Sequence, residues 1–250
     1  MLEAPQRAAI RGPTFIRLLA RLTATDVPSP TQPLSDRLSH WIDWTHAVAL
    51  STALDSRPES DPLADPFAEP ASAEAVEADC ARVRAALTRA IHEDSAFDPA
   101  ARRGGASASA GAEDSPDYLF FRQRYLFLQQ SMDTAIGLLR SRLRDALAPR
   151  STELARLAAV DASMERALAR RERRLLAAVP TLLGPHFERL RASAPATSPS
   201  SSEPGEPATV PDAWLDSFRR DMRNLLLAEL DVRLQPAEGL LSALRTHLPG

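Results

Sequence analysis

From Tyr118 to Leu139 the apolar residues recur in steps of three and four: Tyr118, Phe121, Tyr125, Leu128, Met132, Ala135 and Leu139. That spacing holds one stripe on one side of an α-helix over three heptads, the seam of a coiled coil, and a strand cannot hold it. Ser115, Pro116 and Asp117 read as the helix start. They supply a capping hydroxyl, a proline whose missing N–H costs nothing in the first turn, and an acid suited to the helix dipole. Arg142 stands where the next seam residue is due, so the stripe shifts to Leu143 and Ala146. At about 1.5 Å per residue, such a helix is roughly 45 Å long.

Pro149 ends this helix and Ser151 caps the next, in which Leu154, Leu157, Asp161, Met164, Leu168, Arg171, Leu175 and Ala178 repeat the pattern. Two long helices joined by a few residues predict an antiparallel hairpin. Phe121, Tyr125, Leu128, Met132 and Leu139 are expected to form its interaction seam with Leu157, Met164, Leu168 and Leu175. Asp161 and Arg171 are polar within it. The seam is read as drifting toward Val160 and Leu176, which leaves both charges at its edge.

Prolines divide the rest of the chain. Pro13 opens a short helix carrying Phe15, Ile16, Leu18, Leu19 and Leu22, and a second helix is expected from about Leu34 to Leu54, with Trp41 and Trp44 as packing anchors. A third, from about Ala71 to Glu93, aligns Val76, Cys80, Val83, Leu87 and Ile91. After the hairpin come a short helix with Leu182, Leu183, Phe187 and Leu190, and a final one with Leu215, Phe218, Met222, Leu225 and Leu226. Pro236 is expected to break the latter and leave Leu240, Leu241 and Leu244 in a last short helix. No alternating β pattern occurs.

The fold class expected is therefore all-α: a long antiparallel, coiled-coil-like hairpin with shorter packing helices and two disordered linkers. Its divisions are 1–54, a small N-terminal helical cap; 55–70, a linker; and 71–93, an amphipathic helix. There follow 94–115, a disordered low-complexity loop; 116–192, the central hairpin; 193–211, a disordered linker; and 212–250, the C-terminal helices. The third and the final helices are expected to pack on the hairpin from within the chain, or else a partner helix covers it.

The net charge is −3, unevenly spread: residues 61–118 carry −7 and residues 119–193 carry +7. Every basic residue is an arginine. Arg140, Arg144, Arg170, Arg171, Arg173 and Arg174 form a possible basic surface, which makes nucleic-acid binding by 119–193 the alternative to a protein-contact role. Phe120, Phe121, Arg122, Arg124, Tyr125 and Phe127 interleave aromatics with arginine, but core packing accounts for them better than base stacking.

Nothing in the sequence assembles catalysis. There is no nucleophile elbow, phosphate loop or zinc-protease helix motif. Cys80 is the only cysteine and lies on an apolar stripe, where it reads as a small hydrophobe. Asp36, His40 and Asp43 are the nearest approach to a metal cluster, too thin to count as a site. No enzymatic activity, cofactor or metal is expected. No apolar run reaches the roughly 18–20 residues that span a bilayer, and no secretory signal is legible, so a cytoplasmic location is expected.

The stretches GPTFIRLLARL, PLSDRLSHWIDWTHAVALSTAL and the whole hairpin from YLFFRQRY to PHFERLR resemble an uncharacterised proteobacterial family of unknown function, all-helical and about 250 residues long. The family brings no activity, cofactor or catalytic residue. The resemblance implies a place near envelope complexes. The function expected is a non-enzymatic cytoplasmic helical scaffold or adaptor acting through coiled-coil protein contacts or self-association, with peripheral attachment to a membrane complex as one form of it.

Overall fold

The computed structural model describes residues 13–25, 32–55, 72–97, 117–194 and 213–247. Among these there is no strand, and the chain is all-α. The helices are α1 (Thr14–Thr23), α2 (Leu34–Trp41), α3 (Trp44–Asp55), α4 (Ala73–His92), α5 (Tyr118–Leu147), α6 (Thr152–Ala177), α7 (Val179–Leu182), α8 (Gly184–Ala192) and α9 (Ala213–Thr246). The segments read as linkers, 55–70, 94–115 and 193–211, lie outside the described residues except at their ends. So do Ser115 and Pro116. The residue at the start of α5 is Asp117, which makes no side-chain capping bond.

Phe121, Tyr125, Leu128, Met132 and Leu139 are all buried on α5, joined by Ile136, Leu143 and Leu147. The stripe thus shifts at Ile136, about two turns earlier than the arginine at 142 suggested. Ser151 caps α6 by accepting from the Leu154 N–H. Gln129 reaches the Leu176 carbonyl, Arg140 reaches Glu165, and Arg144 reaches Asp161. As the numbers rise on α5 they fall on α6, so the two helices run antiparallel.

What covers the α5 stripe is mainly α9, not α6. Helix α9 touches α1, α4, α5, α6 and α8, and it buries Leu215, Phe218, Met222, Leu225, Leu226, Leu230, Leu234, Leu240 and Leu244. It runs unbroken through Pro236, contrary to the expected interruption. A helix-interior proline costs about 3 kcal/mol, while each fully buried leucine contributes about 1.5–3 kcal/mol. Leu240, Leu241 and Leu244 remain in the core beyond Pro236, so their burial outweighs the lost hydrogen bond.

With α9 in that place, the assignment of Leu157, Met164, Leu168 and Leu175 as partners of the α5 seam is corrected. Leu157 and Leu175 are 36% and 58% exposed, and Met164 and Leu168 are half-buried. The side of α6 that is fully covered near its start carries Leu154, Ala155 and Ala158.

The N-terminal segment departs from the sequence reading in three ways. Pro13 precedes α1 as its cap residue rather than opening its first turn. The single helix expected at 34–54 is broken: Ile42 is extended, and Asp43 accepts a hydrogen bond from the His46 N–H at 2.9 Å. A carboxylate able to cap a new helix competes here with continuing the old one. The segment also does not gather into one cap, since α1 packs on α8 and α9 while α3 packs on α6. Trp41 lies under two guanidinium groups, Arg37 at 5.0 Å and Arg171 at 4.5 Å, but Trp44 is 83% exposed and anchors nothing. Finally, Ala96 and Phe97, placed by sequence in a disordered loop, are buried, with the Phe97 ring 6.4 Å from that of Phe121.

Several of the opposed charges of α4 and the hairpin meet within the chain. Asp79 pairs with Arg142 at 2.9 Å, buried Asp94 with Arg124 at 2.5 Å, and Arg84 bridges to Asp231 and Glu238 on α9. Glu77 pairs with Arg245 near the end of α9.

Candidate functional site

The most constrained polar chemistry lies where α5, α6 and α9 meet. Glu229 of α9 is wholly buried, and three donors converge on its carboxylate: the Tyr125 hydroxyl at 2.9 Å, the Gln129 amide at 2.9 Å and the Arg233 Nε at 2.8 Å. Arg233 extends the chain outward to Asp133 at 3.6 Å. A buried carboxylate without such donors would be strongly unfavourable. The geometry follows from helix periodicity. Residues 125 and 129 are one turn apart on α5, 229 and 233 one turn apart on α9, so all four project into the same layer. Burial, and after it the charge of Glu229, push the Tyr125 hydroxyl well above its ordinary range. It is a fixed donor, not a proton shuttle at neutral pH.

A second charged group lies farther along α5. Arg140 binds Asp161 at 2.6 Å and Glu165 at 3.2 Å, while Arg144 binds the same two at 2.8 and 2.7 Å. The possible basic surface is corrected accordingly: Arg140 and Arg144 are largely buried and neutralised, and Arg171 lies on Trp41. Arg170, Arg173 and Arg174 remain exposed, with Glu172 among them.

Between the two networks is a cleft of about 290 Å³, with Ile136 and Gly137 of α5, Met164 and Leu168 of α6 and Pro236 of α9 on its apolar side. Asp133, Arg140, Asp161, Glu165, Glu172 and Arg233 supply its polar lining. Gly137 has no atom within 4 Å of where a Cβ would stand, so the cleft comes up to the backbone there. Two of the α6 residues assigned to the seam therefore line an open cleft.

The aromatic–arginine run at the start of α5 divides cleanly. Phe121 and Tyr125 are in the core, while Phe120 and Phe127 are 48% and 53% exposed, and Arg124 lies 4.7 Å over the Phe127 ring. Farther along the same side Leu138 is 60% exposed. The opposite side of α5 is fully committed to the core.

Asp36, His40 and Asp43 are not brought together: Asp36 bonds Ser35, and Asp43 caps α3 with His46 at 2.7 Å. Among the described residues no group of three or more His, Cys, Asp or Glu side chains could hold a metal ion. Burial pushes the half-buried Cys80 thiol up, away from nucleophilic thiolate chemistry. No described helix is long and apolar enough to cross a membrane.

The sequence reading missed Glu229, Gln129 and Arg233. Glu229 and Arg233, four apart in a helix, look like any exposed ion pair. The one available signal was that they continue the apolar side of α9 through Met222, Leu225 and Leu226.

No curated protein and no solved structure matches the chain. A family model does, over residues 1–246. The chain belongs to DUF3348, a family of proteins of unknown function.

Proposed function

We propose that the chain is a non-enzymatic helical scaffold that acts through protein contacts made by the outer sides of α5 and α6. The observation carrying this reading is the line of exposed apolar residues Phe120, Phe127 and Leu138 on a helix whose other side is wholly buried. An apolar line of this length on a helix is the feature that helix-docking partners use. The polar group with the most distinctive geometry, the Glu229 carboxylate, is satisfied by its three donors and has no capacity to spare for a substrate. A cytoplasmic adaptor beside an envelope complex is the particular form to which the family resemblance points.

The test is cross-linking in native cells followed by retrieval of tagged wild-type chain and of a Phe120→Ser/Leu138→Glu variant, each with and without nuclease. Proteins held by the wild type after nuclease and lost from the variant are the expected result. Equal retention by both chains would overturn the assignment of the α5 surface. Loss of every partner on nuclease treatment would favour nucleic-acid binding, which rests on Arg170, Arg173 and Arg174 at the exposed end of α6.

A further inference from the structure

We propose that the cleft between α5, α6 and α9 binds a free α-amino acid with an aliphatic side chain. The ammonium, the carboxylate and the side chain are each held by a different part of the lining. This goes beyond the scaffold reading and does not depend on it.

The register of the hairpin places those parts. Gln129 meets Leu176, Arg140 meets Glu165 and Arg144 meets Asp161, so the same alignment sets Asp133 level with Glu172 and Gly137 level with Leu168. At the first of these two levels an acid faces an acid. At the second, no atom lies within 4 Å of where a Cβ on Gly137 would stand. The two unmatched levels are neighbours, and both open on the cleft.

The cation beside the acid pair is Arg233 of α9, and the pair does not use it up. Its Nε donates to Glu229 at 2.8 Å, which balances its charge. Its approach to Asp133 is 3.6 Å, too long for a hydrogen bond. The two terminal nitrogens of Arg233 thus make no hydrogen bond among the described residues, although the side chain is only 5% exposed and lines the cleft. Glu172 has no cation partner among the described residues either.

An uncommitted acid beside an uncommitted guanidinium suits a zwitterion, whose ammonium and carboxylate are carried by one carbon. A plain anion would meet Asp133 and Glu172, and a plain cation would meet Arg233. The ammonium is received by Asp133 and Glu172, and the carboxylate by the terminal nitrogens of Arg233, whose planar fork matches it. Ile136, Met164 and Leu168 take the side chain in the room left beside Gly137. Farther along, Asp161 and Glu165 are already neutralised by Arg140 and Arg144, so that end has no unmatched charge for a charged side chain. A volume of about 290 Å³ is at the small end of ligand sites and suits a molecule of this size.

The test is calorimetric titration of the purified full chain with L-leucine, glycine, 3-methylbutylamine and 4-methylpentanoate. The last three lack, in turn, the side chain, the carboxylate and the ammonium of leucine. Leucine should bind 1:1 with a Kd of about 0.1–1 mM, and the other three about 10-fold more weakly or not at all. Asp133→Asn, at a half-exposed position, should weaken leucine about 10-fold while leaving melting unchanged. Gly137→Leu should abolish binding without lowering the melting temperature, because the new side chain enters open space and favours the helix.

No binding of leucine at about 10 mM would overturn the proposal. An amine that binds as tightly as leucine would replace it with a simple cation site, and equal binding of glycine or 4-methylpentanoate would defeat it as well. Undiminished binding to a folded Gly137→Leu chain would place the ligand outside the cleft. None of these results touches the cross-linking experiment, which decides the scaffold reading separately.

Discussion

The carboxylate of Glu229 holds three elements in one register, because its donors come from α5 and α9 and one of them, Gln129, also binds the α6 backbone at Leu176. Replacing it by leucine strands the Tyr125 hydroxyl, the Gln129 amide and the Arg233 guanidinium in the interior. Breaking a buried pair in this way costs about 3–5 kcal/mol. For a chain of this size that corresponds to a fall in melting temperature of about 10 °C or more, measurable by circular dichroism. A Glu229→Leu/Arg233→Met double variant should recover part of the loss, because the orphaned cation is gone.

The two tyrosines provide a separate check. Burial pushes Tyr118 up to about 12, and Tyr125 lies well above the ordinary value of 10.0. Each folded-state value exceeds the unfolded one, so the stability they contribute is complete below pH about 10 and is lost as the pH climbs through the folded values. Tyrosinate absorbance of the native chain should therefore stay flat near pH 10 and rise together with loss of helicity. A normal titration at that pH in the folded chain would contradict the burial of Tyr125 and the partial burial of Tyr118.

At the level of whole helices, spacing identifies which residues share a side. It could not tell which side another helix covers. Phe121, Tyr125, Leu128, Met132 and Leu139 are core because α9 and α4 lie on them, whereas the equally regular Leu157 and Leu175 stay partly or largely exposed. Buried polar groups erased the contrast further, since Gln129, Glu229 and Arg233 interrupt apolar stripes that are in fact continuous in space. Two local rules were overridden in opposite directions. At Asp43 a capping carboxylate split a segment that reads as one helix, and at Pro236 the core held together a segment that reads as two. The second case predicts that Pro236→Ala restores a backbone hydrogen bond without disturbing packing. Urea denaturation should show a gain in stability of up to about 3 kcal/mol with an unchanged slope. A loss of stability would mean that the proline shapes the helix around the cleft.

Taken whole, the molecule is a bundle organised around its last helix rather than around its most conspicuous pair. Part of the segregated charge of α4 and the hairpin is matched between the two and by α9, through Asp79–Arg142, Asp94–Arg124, Arg84–Asp231 and Glu77–Arg245. Salt should therefore affect stability modestly, because most of these pairs are partly exposed. The same arrangement bears on how the chain reaches its native state. Contacts such as Tyr125 to Glu229 and Arg84 to Asp231 join residues 104 and 147 positions apart, far more than helical bundles usually need. Folding should be slower than in bundles stabilised by neighbouring helices. As a ribosome delivers the chain in order, the apolar stripe of α5 emerges long before the helix that seals it, and for that interval the hairpin is a client for chaperones.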